Sequence, residues 1–193
     1  MALAYSGIII DLREISLKNR PKSLYAVSQK GTVPVLCIND DNIIDESLDI
    51  MLWSLKHDDH AGWMKQDIKL QLEIIEFNDT TFKYWLDRYK YFDRYLENDK
   101  EYYRKKCNDF LLQINSFLIK NKFILSNCLS LVDIAIFPFI RQFFNVDKNW
   151  LIDEYPFICK WLDDLLQSEL FLSVMNKYEE NKGESLIVNF NCK

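Results

Sequence analysis

The sequence predicts an α/β unit of short strands followed by an all-helical unit, and three observations carry that expectation. Residues 30–55, KGTVPVLCINDDNIIDESLDIMLWSL, read as strand, turn, strand and helix in succession. From Met64 onward apolar residues recur at three and four positions, the period of helices with one buried face. Only 4 Gly and 4 Pro occur in 193 residues, which leaves little chain for loops.

In chain order, Met1 to Tyr5 is apolar and helix-favouring, and Ser6-Gly7 ends it as a C-terminal stop would. Ile8 to Ile15 is expected to be a strand, with Ile8-Ile9-Ile10 its buried part and Leu12 and Ile15 extending it. Leu17 to Pro21 is a polar loop, and Lys22 to Ser28 a short helix. Lys30-Gly31-Thr32 is a turn into the β-branched run Val33 to Ile38. Asn39-Asp40-Asp41-Asn42 reverses the chain, so Ile43-Ile44 pairs back antiparallel. Asp45-Glu46-Ser47 then introduces a helix whose buried face is Leu48, Ile50, Met51, Leu52 and Leu55.

Pro34 has two readings: an ordinary proline at a strand start, or a cis-proline. A cis bond there turns the N–H and C=O of Val33 outward, free to pair with an extended peptide. Ser47 stands at a helix N-terminus, where a hydroxyl, free N–H groups and the helix dipole favour an anion. Glu46 offers a negative charge for an ammonium group. Together these describe a seat for a small peptide with a free amino-acid end.

His57-Asp58-Asp59-His60 holds metal-ligating types, but the spacing matches no metal site and no third ligand cluster is apparent. It is read as a polar linker. Beyond it, Ile68, Leu72, Ile75, Phe82, Trp85, Leu86, Tyr89, Phe92 and Leu96 form one helical stripe, read as core packing. Tyr102 to Lys120 is a second amphipathic helix, with Phe110, Leu111, Ile114, Phe117 and Leu118 inward. Ser130 with Asp133 three residues on is a capping box, and Leu129 with Ile134 a hydrophobic staple. The apolar helix that follows contains Pro138, which removes one backbone bond. Helices are expected from about Pro156 to Leu166 and from Glu169 to Tyr178. Lys182 to Lys193 is a tail with no pattern beyond Leu186-Ile187-Val188.

Nearly half the residues (49%) are apolar, which excludes a disordered chain. The net charge of −5, with both signs interspersed, argues against nucleic acid or an anionic membrane as partner. No apolar run approaches a membrane span, and the start lacks the pattern of a cleavable signal. Five dispersed cysteines (Cys37, Cys107, Cys128, Cys159, Cys192) read as reduced thiols of a cytoplasmic protein, with Cys192 exposed in the tail. Cys37, on the strand after Pro34, is expected to point into the core and so to be unavailable for chemistry; thiol labelling of the native state tests that.

Val33-Pro34 followed by Glu46-Ser47 and a helix, with Ser130 and Asp133 opening DIAIFPFIRQFFNVD, resembles the soluble glutathione transferases. The resemblance runs from Met1 to about Lys182. It implies a thioredoxin-like glutathione-binding domain at residues 1–56, a linker at 57–64, a helical C-terminal domain at 65–182 and a tail at 183–193. Carried over, the glutathione contacts fall on Arg20 (glycine carboxylate), Val33 with Pro34 (backbone pairing), and Glu46 with Ser47 (γ-glutamyl end). Arg20, in the loop LKNRP, and the stretch LDRYKYFDRY resemble the cysteine-type, omega-like branch found in bacteria. There a cysteine forms a mixed disulfide with glutathione, governed by a lowered thiolate pKa.

The resemblance also implies that the family's first strand and catalytic loop stand upstream of Met1, because MALAYSGI resembles the later part of the family's first helix. Either the recorded start is an internal methionine of a longer protein, or the gene is shortened. Tyr5 and Ser6 have suitable hydroxyls but fall at the wrong end of that helix, so no catalytic residue is assigned. The implied function is glutathione conjugation or thiol transfer on a small electrophilic or disulfide substrate, with glutathione as cosubstrate, no metal, and a possible homodimer. The alternative is a non-catalytic binding or interaction protein of the same fold.

Overall fold

The computed structural model describes residues 1–180 and 186–188. They divide into two compact units: Met1–His60 together with the segment from Ser168, and Ala61–Gln167.

The first unit opens with α1 (Ala2–Tyr5), closed by a Schellman motif. Gly7 N–H donates to Ala4 C=O (3.1 Å) and Ile8 N–H to Leu3 C=O (3.0 Å), with Gly7 at φ +63° supplying the left-handed turn. The strand that follows, β1 (Ile10–Leu12), is shorter than expected, and Ile9 is exposed instead of buried. After α2 (Lys22–Val27) come β2 (Leu36–Asn39) and β3 (Asn42–Ile44), paired antiparallel with Leu36 opposite Ile44 and Cys37 opposite Ile43. Leu36 and Ile38 take the more buried face of β2, so strand alternation leaves Cys37 exposed. That corrects the expectation of a core-facing thiol. The helix α3 (Ser47–His57) buries Ile50, Ser54 and Leu55.

The second unit is helical throughout. α4 (Ile68–Phe77) runs into a π-helical turn over Asn78–Phe82 and then α5 (Lys83–Lys90). The wide turn breaks the three-and-four rhythm, so burial passes from Ile74 and Ile75 to Phe82, Leu86 and Tyr89. The expected stripe fails at its ends: Ile68 and Leu72 are exposed at the first, and Phe92 and Leu96, the latter 88% exposed, at the second. The reason at the second end is that the helix stops at Lys90. A 3₁₀ turn, Phe92–Arg94, precedes a fresh start at α6 (Lys100–Leu118), whose first turn Asp99 caps by accepting from Tyr102 N–H at 2.7 Å. α7 (Leu131–Val146), α8 (Lys148–Glu154) and α9 (Pro156–Leu166) complete the unit.

The N-terminus of α7 is the polar centre of this unit. Its first N–H groups would be buried orphans without partners. Leu131 N–H donates to Trp63 C=O at 3.2 Å, and Val132 N–H to Gln71 Oε1 at 3.0 Å. Ser130 and Asp133 form the expected capping box. The Asp133 carboxylate is fully buried and accepts from Ser130 N–H and Oγ–H, Ile124 N–H and Trp161 Nε1–H. Burial raises its pKa, while those four donors act against the rise. The network ties α4, the 121–130 segment, α7 and α9 to one point.

The chain then returns to the first unit as α10 (Glu169–Ser173), shorter than the expected helix to Tyr178. Leu186–Val188 forms β4, antiparallel to β1 with Ile10 opposite Val188 and Leu12 opposite Leu186. The expected tail thus supplies a strand at Leu186-Ile187-Val188, its one apolar run; Cys192 lies outside the described residues. Among those residues the strands form two separate two-stranded ladders. No helix among them is long and apolar enough to cross a membrane.

Candidate functional site

The loop between α2 and β2 and the start of α3 meet through side chains. Lys30 Nζ donates to Asp45 Oδ1 at 3.2 Å and to Glu46 Oε1 at 2.5 Å. Ser28, buried at the end of α2, donates its hydroxyl to Asp45 Oδ2 at 2.8 Å. The Ser28 bond, with Lys30 beside it, holds the Asp45 carboxyl below its ordinary range; the bond to Glu46, with Asp45 adding, raises the Lys30 ammonium. Gly31 follows at φ +60°, where a Cβ would also come within 2.3 Å of the Tyr25 ring. The left-handed φ is what favours glycine there.

Val33-Pro34 is cis. Val33 is exposed, and neither its N–H nor its C=O has a hydrogen-bond partner among the described residues. Glu46 is the N-cap residue of α3 in an extended conformation, and its side chain makes no capping bond. Ile50 N–H donates to Glu46 C=O, while the N–H groups of Ser47, Leu48 and Asp49 find no acceptor among the described residues. Ser47 is exposed with its hydroxyl unpaired there. This end of α3 therefore offers three donors, a hydroxyl and the positive end of the dipole. Asp45 and Asp49 also line a cavity of about 360 Å³ with Ile43, Ile44, Leu52, Trp53 and Lys56, so the acidic start of α3 borders open, partly apolar space with one lysine on its far side along the helix.

Arg20 is exposed just before Pro21, the N-cap of α2, and makes no ion pair among the described residues. No contact joins it to Glu46 or Ser47. Lys30, Asp45 and Ser28 are the residues sequence reasoning missed. The signal available was a lysine in a turn followed by an acidic pair, but neither fixes which turn meets which helix.

Tyr5 and Ser6 are engaged elsewhere. Tyr5 O–H donates to Asp59 Oδ1 (3.1 Å) and its ring stacks on His60 at 4.2 Å; Ser6 Oγ–H donates to Asp58 C=O (2.8 Å). His57 Nδ1 lies 3.0 Å from Trp53 C=O and His60 Nδ1 3.2 Å from Asp58 Oδ2. The linker's acids and imidazoles thus serve α1 and α3. Among the described residues no three His, Cys, Asp or Glu gather as a metal site.

A short-stranded unit with a cis-proline loop facing a helix start, joined in one chain to an all-helical unit, defines the architecture of the glutathione transferases. The family models agree in domain order: "Glutathione S-transferase, N-terminal domain" matches residues 1–60 and "Glutathione S-transferase, C-terminal domain" residues 75–169. The chain belongs to the glutathione transferase family, with a thioredoxin-like N-terminal domain and a helical C-terminal one.

Solved structures share the fold. A glutathione transferase from Phanerochaete chrysosporium in complex with oxidized glutathione superposes with TM-score 0.74 at 18% identity, covering 89% of this chain and 85% of that one. A family member from Pseudomonas fluorescens with two glutathione bound gives TM-score 0.74 at 16% identity, covering 89% and 83%. A class Gtt2 enzyme from Vibrio parahaemolyticus gives 0.62 at 22% identity, covering 84% and 81%. No curated protein matches the sequence significantly.

Proposed function

We propose that the first unit binds glutathione at the cis Val33-Pro34 loop and the start of α3, in the service of conjugation or thiol transfer. The observation that carries this reading is the uncapped N-terminus of α3 beside Glu46. The unpaired N–H groups and Ser47 hydroxyl suit the γ-glutamyl carboxylate. Glu46 suits the ammonium group, a reading supported by its ion pair with the Lys30 ammonium. The free N–H and C=O of Val33 suit the cysteinyl backbone in strand-like pairing. Arg20 would reach the glycine carboxylate once the ligand bridges the distance. The bound state of two structural neighbours, with oxidized glutathione in one and two glutathione in the other, supports the same ligand class.

A second reading keeps the binding and drops the turnover. Tyr5 and Ser6, the hydroxyls at the end of α1, are spent on Asp59 and the Asp58 carbonyl, which supports a binding or interaction protein of this fold. Assays with an aromatic halide electrophile and with a mixed disulfide, each with glutathione, separate the two. Turnover that falls in Ser47→Ala supports the enzyme; binding without turnover of either substrate supports the second reading.

A further inference from the structure

In the helical unit, α5 and α6 present a row of rings and cations that neither reading above uses. The Arg88 guanidinium lies 3.5 Å from the Tyr84 ring centre and 4.5 Å from that of Tyr95. Tyr84 meets Trp85 edge-on at 4.8 Å, and Trp85 meets Tyr102 at 6.3 Å. Lys106 Nζ closes the row, 5.6 Å from the Trp85 ring centre and 5.3 Å from that of Tyr102. Tyr84, Tyr102 and Lys106 are exposed, so the row faces solvent. Its charges are sorted. Residues 83–106 carry eight Lys and Arg against five Asp and Glu. Among the described residues, Lys83 and Arg104 alone of those eight pair with a carboxylate. Four of the acids are engaged locally: Asp87 accepts from Tyr95 O–H at 2.6 Å and Glu97 from Tyr103 O–H at 3.3 Å, Asp99 caps α6, and Glu101 pairs with Arg104. Arg88 and Lys106 are left against aromatic faces instead of acids.

Arg88 spends one N–H on the Tyr84 carbonyl at 3.4 Å, which leaves its other donors for a partner. A guanidinium already held against two rings loses little side-chain freedom when a carboxylate takes its fork of donors. Tyr, Trp and Arg are also the residues that anchor protein interfaces, because they bury large area and still find polar partners. Unpaired cations then select the sign of that partner. The net charge of −5 repels a long polyanion such as nucleic acid, whereas a short acidic segment is held by contacts at the face itself. We propose that this face docks an acidic segment of a partner protein, with carboxylates on Arg88 and Lys106 and apolar side chains on Tyr84, Trp85 and Tyr102. The docking holds whether or not the first unit turns glutathione over.

The test is fluorescence anisotropy of labelled peptides titrated with the full chain. The probes are a short peptide alternating Glu and Leu, its Lys and Leu counterpart, and an oligothymidylate of equal length. Saturable binding of the Glu-Leu peptide is expected, weakening as salt is raised, with none of the Lys-Leu peptide. Arg88→Gln should reduce that affinity about tenfold, the worth of one charge-assisted hydrogen bond. Lys120→Gln, beyond the far end of α6, should leave it unchanged, and equal urea midpoints establish that both variants fold. Should Arg88→Gln lower the midpoint, Lys106→Gln at an exposed position takes its place, with a loss of the same sign. No binding of the Glu-Leu peptide, equal binding of the Lys-Leu peptide, tighter binding of the oligothymidylate, or affinity that survives both Arg88→Gln and Lys106→Gln overturns the proposal.

Discussion

The Lys30 ammonium rests on the Glu46 carboxylate at 2.5 Å, and Glu46 is the residue placed to hold the ammonium end of glutathione. Lys30 and the ligand therefore compete for one carboxylate. Both side chains are exposed, so their pairing is weak. Lys30→Met is expected to tighten glutathione binding, by about two- to fivefold, and Glu46→Gln to weaken it. Calorimetry on the two variants checks the opposite signs.

The same cluster sets a pH window. The Asp45 pKa is lowered, so its contribution is present above its ordinary value and is lost as pH falls through the lowered one. The Lys30 pKa is raised, so its contribution is complete below its ordinary value and is lost as pH rises through the raised one. The contact should span the whole neutral range. Carboxyl NMR of Asp45 should show a midpoint below the ordinary carboxylate range, and Ser28→Ala should move it upward.

The buried network at the start of α7 should dominate the stability of the helical unit. Gln71 satisfies both Val132 N–H and Trp63 C=O, the latter by donating Nε2–H at 3.0 Å. Gln71→Ala leaves a buried N–H unpaired and should cost about 1–3 kcal/mol. Ser130→Ala removes the cap and should cost about 1 kcal/mol. Urea unfolding followed by tryptophan fluorescence measures both, and Gln71→Ala is expected to be the larger loss.

Thiol accessibility follows from strand and helix faces. Cys37 and Cys128 are exposed, whereas Cys107 is buried in α6 and burial pushes its thiol pKa up. Cys159 is half-buried, its thiol pushed up to about 11. A small disulfide reagent should label Cys37 and Cys128 in the native protein and Cys107 only on unfolding. Peptide mapping of the labelled protein reads this directly.

Features encoded within a few residues of one another were legible in the sequence. Ser130 and Asp133 announce their capping box because its partners are three residues apart. The helix start at Ser47 and the hairpin between β2 and β3 were likewise local. What escaped depends on partners distant in the chain. Gln71 meets Val132 across 61 residues, and a glutamine on a helix carries no mark of that destination. Lys30 looked like a turn residue because its acids lie 15 and 16 positions away. Cys37 was placed on the wrong face because a one-residue change of register inverts a strand. The π turn at Asn78–Phe82 shifted the helical stripe without any proline or glycine to signal it.

Isothermal titration of glutathione into the 193-residue chain, beside Ser47→Ala, tests the central claim most directly. Saturable binding that Ser47→Ala weakens about tenfold, the loss expected for one hydrogen bond to a carboxylate, is the expected result. Binding of equal strength in Ser47→Ala, or none to the folded wild-type chain, would contradict a glutathione seat at the start of α3.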